Sequence, residues 1–138
     1  QRIRRVPVVP TRTASCSCSQ LSATVDGEPV RVSVCHCLAC QRRTGSVFGA
    51  QARFVASAVK INGTSTPFVR VGDEGSEVTF HFCPVCGATV YYLSPDQEQI
   101  AIPVGAFADP SFPSPDFSVY EERMHSWVAL PPGVEHMW

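Results

Sequence analysis

The 138-residue chain is long enough for one domain with one core, and 44% of its residues are hydrophobic. Its formal net charge of −1 provides no overall basic field for nucleic acid, and no stretch approaches the roughly 18 apolar residues of a membrane helix. We therefore expect neither nucleic acid nor a membrane among its partners. Twelve prolines and nine glycines favour short strands and frequent turns over long helices.

The N-terminal segment 1–13 is predicted to be a flexible leader before a domain over 14–130 and a tail over 131–138. The chain starts with Gln1 rather than Met, so we expect the natural start to be missing. The first acidic residue, Asp26, is preceded by Arg2, Arg4, Arg5 and Arg12. We interpret them as a solvated arm of a cytoplasmic protein, with the remnant of an organelle transit peptide as the alternative.

Alternating apolar residues and turn signals predict a series of short strands after the leader. The predicted strands span 21–25, 30–34, 47–55, 59–61, 68–71, 78–82, 88–93, 100–104 and 117–120. Asp26-Gly27 is a strong hairpin signal, and turns are also predicted at 62–63, 72–75 and 94–96. Segment 41–46 is predicted to be a loop or one helical turn, and the three prolines within 109–115 indicate irregular structure.

Seven cysteines fall into three clusters: C-x-C at 16–18, C-H-C-x-x-C at 35–40 and F-C-P-V-C-G at 82–87. The odd number, the tight spacing and the lack of a visible secretory signal favour metal binding over disulfides. A structural zinc takes four protein ligands, whereas a catalytic zinc typically takes three and leaves one position open. Seven thiols therefore divide naturally as four plus three.

The closed site needs two pairs of ligands. A C-x-x-C knuckle such as Cys83–Cys86 supplies one pair, and Cys16 with Cys18 is expected to supply the other. The metal would then pin the N-terminal strand to the middle of the sheet, and its binding energy would be folding energy. The alternative is that Cys16 and Cys18 lie in a floppy leader and bind nothing. We call these four residues the tetracysteine cluster.

Cys35, Cys37 and Cys40, here called the tris-cysteine cluster, lie close enough in sequence to face one metal from one loop. In an extended segment His36 points away from its neighbours, so we expect it to form a hydrogen bond or line the rim instead. A fourth ligand from His81 or His125 stays open as an alternative, and would make this site structural too.

An open tris-thiolate zinc is a weak Lewis acid that suits the binding of an incoming thiolate. The cluster is followed by Arg42, Arg43, Thr44 and Ser46, whose guanidinium and hydroxyl groups are candidates to bind the carboxylates of a small acidic thiol. The alternative is that both arginines are ordinary solvated charges.

The ordered triple of cysteine clusters resembles the glutathione-dependent formaldehyde-activating enzyme (GFA) family, which includes the centromere protein V relatives. The resemblance runs from about Cys16 to Trp127 and rests on C-S-C, C-H-C-L-A-C-Q-R-R-T-G-S, F-C-P-V-C-G-A and V-G-A-F-A-D-P. Family members often have glycine directly after the C-x-C pair, where this chain has Ser19.

The resemblance implies an all-β domain of short antiparallel strands stapled by zinc. It implies two zinc ions per chain, a structural one on Cys16, Cys18, Cys83 and Cys86 and a second one on Cys35, Cys37 and Cys40. It also implies a carbon–sulfur lyase, similar to S-(hydroxymethyl)glutathione synthase, that adds glutathione to formaldehyde at the tris-cysteine cluster. The alternatives are a non-catalytic zinc-stabilised binding module and a carrier of the glutathione adduct.

Overall fold

The computed structural model describes residues 10–72, 75–96 and 98–137. Within them the chain is mainly β, which confirms the predicted all-β class. The strands are β1 Thr11–Ser15, β2 Ser22–Asp26, β3 Arg31–Cys35, β4 Gly49–Val55, β5 Val59–Asn62, β6 Thr66–Val71, β7 Glu77–Phe82, β8 Thr89–Leu93, β9 Gln99–Pro103, β10 Phe117–Val119 and β11 Glu135–Met137. The helices are α1 Leu38–Thr44 and short 3-10 turns at Ala56–Ala58, Val104–Phe107 and Glu121–Arg123.

The strands form two sheets. A three-stranded sheet has the order β1-β2-β5, and an eight-stranded sheet has the order β11-β10-β3-β4-β9-β8-β7-β6. Most neighbours are antiparallel, as predicted, but β10 runs parallel to both β3 and β11. A parallel pair needs a long connection, and residues 120–134 supply one between β10 and β11.

The hairpin predicted at Asp26-Gly27 is wrong. The strands on either side, β2 and β3, belong to different sheets, and β2 pairs instead with β1 and β5. The turn at Asn62-Gly63 likewise passes the chain from one sheet to the other. Gly63 has φ +96°, and a Cβ there would lie 1.8 Å from the carbonyl oxygen of Gln20. The turn at 94–96 does join two antiparallel neighbours, β8 and β9, while Asp73 and Glu74 of the turn at 72–75 lie outside the described residues.

The main core lies between the two sheets, where alternate residues of each sheet face one another. Its largest fully buried apolar side chains are Phe54, Leu21 and Ile102. The opposite face of the eight-stranded sheet carries a smaller cluster of Phe80, Tyr92 and Ala101. The tris-cysteine cluster and two grooves are associated with this second face.

Sheet structure extends into both predicted flanking segments. Strand β1 begins at Thr11, inside the segment assigned to the leader, and β11 lies within the segment assigned to the tail. Residues 1–9, which include Arg2, Arg4 and Arg5, and Trp138 lie outside the described part. Within the described part, no helix is long and apolar enough to cross a membrane.

Candidate metal centres and the adjacent groove

The tetracysteine cluster connects the two sheets. Cys16 and Cys18 directly follow β1 of the small sheet, and Cys83 and Cys86 form the knuckle between β7 and β8 of the large sheet. The four sulfur atoms all lie within 4.8 Å of one another. The knuckle turns at Gly87, whose φ is +80°. The amide of Gly87 donates to the carbonyl oxygen of Cys83 at 2.8 Å.

The sulfur spacing of this cluster fits a tetrahedral metal. The Sγ of Cys18 lies 3.7 Å from that of Cys16 and 3.6 Å from that of Cys83. Tetrahedral zinc with Zn–S bonds of about 2.3 Å places its sulfurs about 3.8 Å apart. The amide of Leu21 also donates to Cys16 Sγ at 3.3 Å, and that of Val85 to Cys83 Sγ at 3.4 Å. Such donors stabilise thiolates, so this cluster can hold a metal ion.

The tris-cysteine cluster forms where β3 ends and α1 begins. Cys35 is the last residue of β3, Cys37 is the N-cap of α1, and Cys40 lies in the first turn of that helix. Cys37 Sγ accepts a hydrogen bond from the amide of Cys40 at 3.3 Å, which explains why the helix begins earlier than the turn predicted at 41–46. Gly45, with φ +71°, ends the helix.

The three sulfur atoms converge within 4.8 Å, so this cluster too can hold a metal ion. Hydrogen bonds from Cys35 and Cys40 lower the pKa of Cys37, and the positive charge of Arg70 lowers it further. Cys35 and Cys40 are buried, whereas Cys37 is only partly buried. Cys37 is therefore both the most exposed of the three cysteines and one on which a positive charge acts.

None of the histidines considered as ligands joins the tris-cysteine cluster. His36 is fully buried and its Nε2 hydrogen-bonds with Ser118 Oγ at 3.1 Å, in keeping with the expected hydrogen bond. His81 Nδ1 lies 2.8 Å from Ser65 Oγ, and His125 Nε2 lies 3.0 Å from Gln41 Oε1. Across residues 10–72, 75–96 and 98–137, no fourth His, Cys, Asp or Glu ligand atom completes the set.

A groove of about 590 Å³ opens beside this cluster, between α1 and the β6–β7 pair. We call it the arginine groove because Arg42, Arg43 and Arg70 line it. Its remaining lining residues are Ala39, Phe68, Phe80, Phe82, Gly87 and Thr89. The groove thus combines three positive charges with an aromatic floor.

Aromatic rings hold two of these arginines in place. The Arg43 guanidinium lies 5.2 Å from the ring centre of Phe80 and 5.3 Å from that of Tyr92, and Arg70 lies 5.0 Å from Phe80 on β7. Gly49 leaves room for Arg43 beside the cluster, since a Cβ there would lie 3.1 Å from Arg43 Nη2 and 3.4 Å from Cys40 Cβ.

The four substrate-contact residues predicted from sequence separate into two groups. Arg42 and Arg43 line the groove. Thr44 Oγ1 donates to the carbonyl oxygen of Cys40 at 2.9 Å and accepts from the amide of Ser46 at 3.1 Å, so this hydroxyl helps to end the helix. Sequence reasoning missed Arg70, because it follows Cys40 by 30 residues and only sheet pairing brings it near the cluster.

Comparison with known proteins adds to this geometry. The family model described as glutathione-dependent formaldehyde-activating enzyme matches residues 11–123 of the chain. The chain belongs to this family. Both cysteine clusters and all three arginines of the groove lie inside the part that matches the GFA family.

A solved structure shares the fold of this GFA family member. It is the crystal structure of a Rhodobacter sphaeroides protein, with a TM-score of 0.55, 19% sequence identity, and coverage of 71% of this chain and 91% of that chain. At this level of identity the likeness concerns the fold alone. No curated protein matches the chain.

Proposed function

We propose that this chain is a zinc-dependent carbon–sulfur lyase that adds glutathione to formaldehyde or a related small carbonyl. Zinc is the proposed ion at both cysteine clusters, with the tetracysteine cluster structural and the tris-cysteine cluster reactive. The observation that carries the proposal is the convergence of three cysteine sulfurs, without a fourth described ligand, beside a groove lined by three arginines. Membership of the GFA family supports the reaction class.

Zinc bound by Cys35, Cys37 and Cys40 would supply a position where a substrate sulfur is held as a thiolate. The three cysteine ligands take up most of the metal's charge and so favour sulfur over hydroxide. The metal-binding thiols also suit a reducing compartment, which is why we propose a cytoplasmic location.

The arginine groove is the proposed binding site for the carboxylates of glutathione. Arg42, Arg43 and Arg70 offer planar forks that match carboxylate geometry. The volume of about 590 Å³ is within the usual range for small-molecule sites. Thr44 and Ser46 are also proposed for this binding site, at the end of α1. Ser46 would contact the substrate directly, whereas Thr44 would act chiefly by fixing the loop.

In the proposed reaction a carbon–sulfur bond forms between the glutathione sulfur and the carbonyl carbon. The carbonyl π electrons move to the oxygen, which ends as a hydroxyl after taking up a proton that replaces the one lost by the thiol. The protein's contribution is to hold thiol and carbonyl together and to stabilise the developing negative oxygen, for which Arg43, whose charge acts on Cys40, is the proposed group.

The test is the rate of exchange between free glutathione plus formaldehyde and S-hydroxymethylglutathione, measured by NMR with zinc-loaded protein. Acceleration in the wild type that is lost in Cys37→Ala supports the lyase. The comparison requires that Cys37→Ala melt at a temperature close to that of the wild type. The matched control is Ser57→Ala, on an exposed 3-10 turn.

Glutathione also adds to formaldehyde without a catalyst, so the adduct would form even if the protein only carried it. Binding and acceleration are therefore measured separately, to distinguish a carrier from an enzyme. Tight binding of S-hydroxymethylglutathione with no acceleration would replace the lyase by the carrier. Neither binding nor acceleration in folded, zinc-loaded protein would leave a zinc-stabilised binding module.

A further inference from the structure

A second groove, of about 490 Å³, lies on the large sheet where β10, β3, β4 and β9 run side by side. Its lining residues are Val30, Arg31, Arg53, Ser94, Asp96, Gln99 and Phe117. It shares none of them with the arginine groove. Arg31 lies four residues from Cys35 along β3, about 13 Å, so the two sites are separate places on the same strand.

Two positively charged residues that line this second groove lie opposite each other on paired strands. Arg31 on β3 and Arg53 on β4 are direct partners in the antiparallel register. Like charges directly opposite one another on paired strands destabilise a sheet. A bound anion between the two guanidinium groups would remove that penalty.

Asp96 lines the same groove, but no carboxylate of the described residues forms an ion pair with either arginine. Among them the carboxylate ion pairs are Arg12 with Glu28 and His136 with Glu121, so neither Arg31 nor Arg53 has a carboxylate partner. Arg31 Nε is buried and has no hydrogen-bond partner. The groove's own acid, Asp96, uses Oδ1 within its turn, where it accepts from Ser94 Oγ at 3.2 Å and from the amide of Glu98 at 3.1 Å.

Stacking holds one of the two cations in place. The Arg31 guanidinium lies 4.4 Å from the ring centre of Phe117 on β10. A guanidinium that stacks on a ring through its face keeps the N–H donors at its edge free to bind another group. Two guanidinium groups and one carboxylate leave the groove with a net positive charge.

We propose that Arg31 and Arg53 form a binding site for a small-molecule oxyanion, a carboxylate or a phosphate, separate from the proposed thiol site. Forked guanidinium groups bind both kinds of oxyanion through paired charge-assisted hydrogen bonds. The volume of the groove suits a small molecule rather than a macromolecule. Phe117 and Val30 would contact the apolar part of such a ligand.

The experiment is a 15N–1H NMR titration of the metal-loaded protein with inorganic phosphate and, separately, with succinate. Ionic strength is held constant with sodium chloride, which also serves as the reference titration. The proposal predicts saturable shifts at residues 31, 53, 96 and 99, with the tighter of the two probes identifying the kind of anion. Arg53→Gln should weaken that binding by roughly tenfold or more.

Lys60→Gln is the matched control, because it removes one positive charge from an exposed position on the small sheet. It should leave the titration unchanged. The proposal is overturned if the wild type shows no saturable shift beyond the chloride reference, if shifts are confined to residues 42, 43 and 70, or if Arg53→Gln binds as tightly as the wild type. The wild-type titration decides the matter even if Arg53→Gln fails to fold.

Discussion

Ser19 adopts a left-handed backbone conformation, with φ +70°, directly after the Cys16–Cys18 pair. A residue with a Cβ is strained there, whereas glycine is not. We predict that Ser19→Gly raises the free energy of unfolding by about 0.5–1 kcal/mol, since relief of strain exceeds the added chain entropy. Urea denaturation of the metal-loaded protein measures this. Ser57→Gly, where φ is not positive, should not stabilise, and a less stable Ser19→Gly would contradict the prediction.

The cysteines of the two clusters should differ in what their loss affects. Cys83 is fully buried between the sheets, so Cys83→Ser should lower the free energy of unfolding by more than about 2 kcal/mol. Cys37 is partly buried and lies at the start of one short helix, so Cys37→Ser should cost activity more than stability. Thermal melts and the adduct-exchange rate separate the two effects. Equal losses of stability would show that the division into structural and reactive clusters is wrong.

Strand β6 contributes the charge of Arg70 to a groove beside cysteines that lie on other elements. We predict that Arg70→Gln raises KM for glutathione by about tenfold with a smaller change in kcat, because the lost contact is to a carboxylate and not to the reacting atoms. Steady-state exchange measured at varied glutathione supplies both constants. Lys60→Gln should behave as the wild type. An unchanged KM would remove Arg70 from the proposed substrate site.

Strand β11 is attached to the rest of the sheet by β10 and by the contact between Glu121 and His136. The hydrogen bond with His136 lowers the pKa of Glu121 in the folded protein. The folded state therefore binds fewer protons than the unfolded state, so this contribution to stability is present at neutral pH and is lost as the pH falls through the lowered pKa.

The amide of Glu135 donates to the carbonyl oxygen of Asp116 at 2.9 Å. We predict that Glu121→Gln speeds hydrogen exchange at this amide. After correction for the intrinsic rate, the exchange in this variant should also depend less on acid than it does in the wild type. Glu122→Gln, an exposed neighbour, should leave the exchange unchanged. The same exchange rate in wild type and Glu121→Gln would show that pairing with β10 alone holds the strand.

The two sheets of the molecule meet at the tetracysteine cluster. The tetracysteine cluster joins the end of β1 to the knuckle after β7. We predict that removing the metal with a chelator lowers Tm cooperatively, so that amides of β2 in the small sheet and β7 in the large sheet lose protection together. Differential scanning calorimetry and hydrogen exchange measure this. Cys37→Ser protein should respond to the chelator as the wild type does, and loss of protection in one sheet alone would contradict the prediction.

The cysteine motifs were readable from sequence because metal ligands must be particular residue types at short spacings. The division into a group of four and a group of three matches the two groups of sulfur atoms in the structure. Strand positions were also largely predictable, since alternation is a local property. The start of α1 was missed because its N-cap is a cysteine, an unusual capping residue.

Pairing between strands was decided by tertiary structure. The Asp26-Gly27 signal predicts a hairpin, but Leu21, Ala23 and Val25 are fully buried in the core between the sheets, and β2 pairs with β1 and β5 to put them there. The parallel pairing of β10 could not be predicted from sequence, because a strand of three residues carries too little pattern to indicate its partner. Sequence by itself determined the two groups of cysteines and the mainly β class, because both depend on residue type and local period. Only the tertiary structure brought Arg70 to the tris-cysteine cluster and Arg31 opposite Arg53, because those neighbours are chosen by sheet register between distant segments.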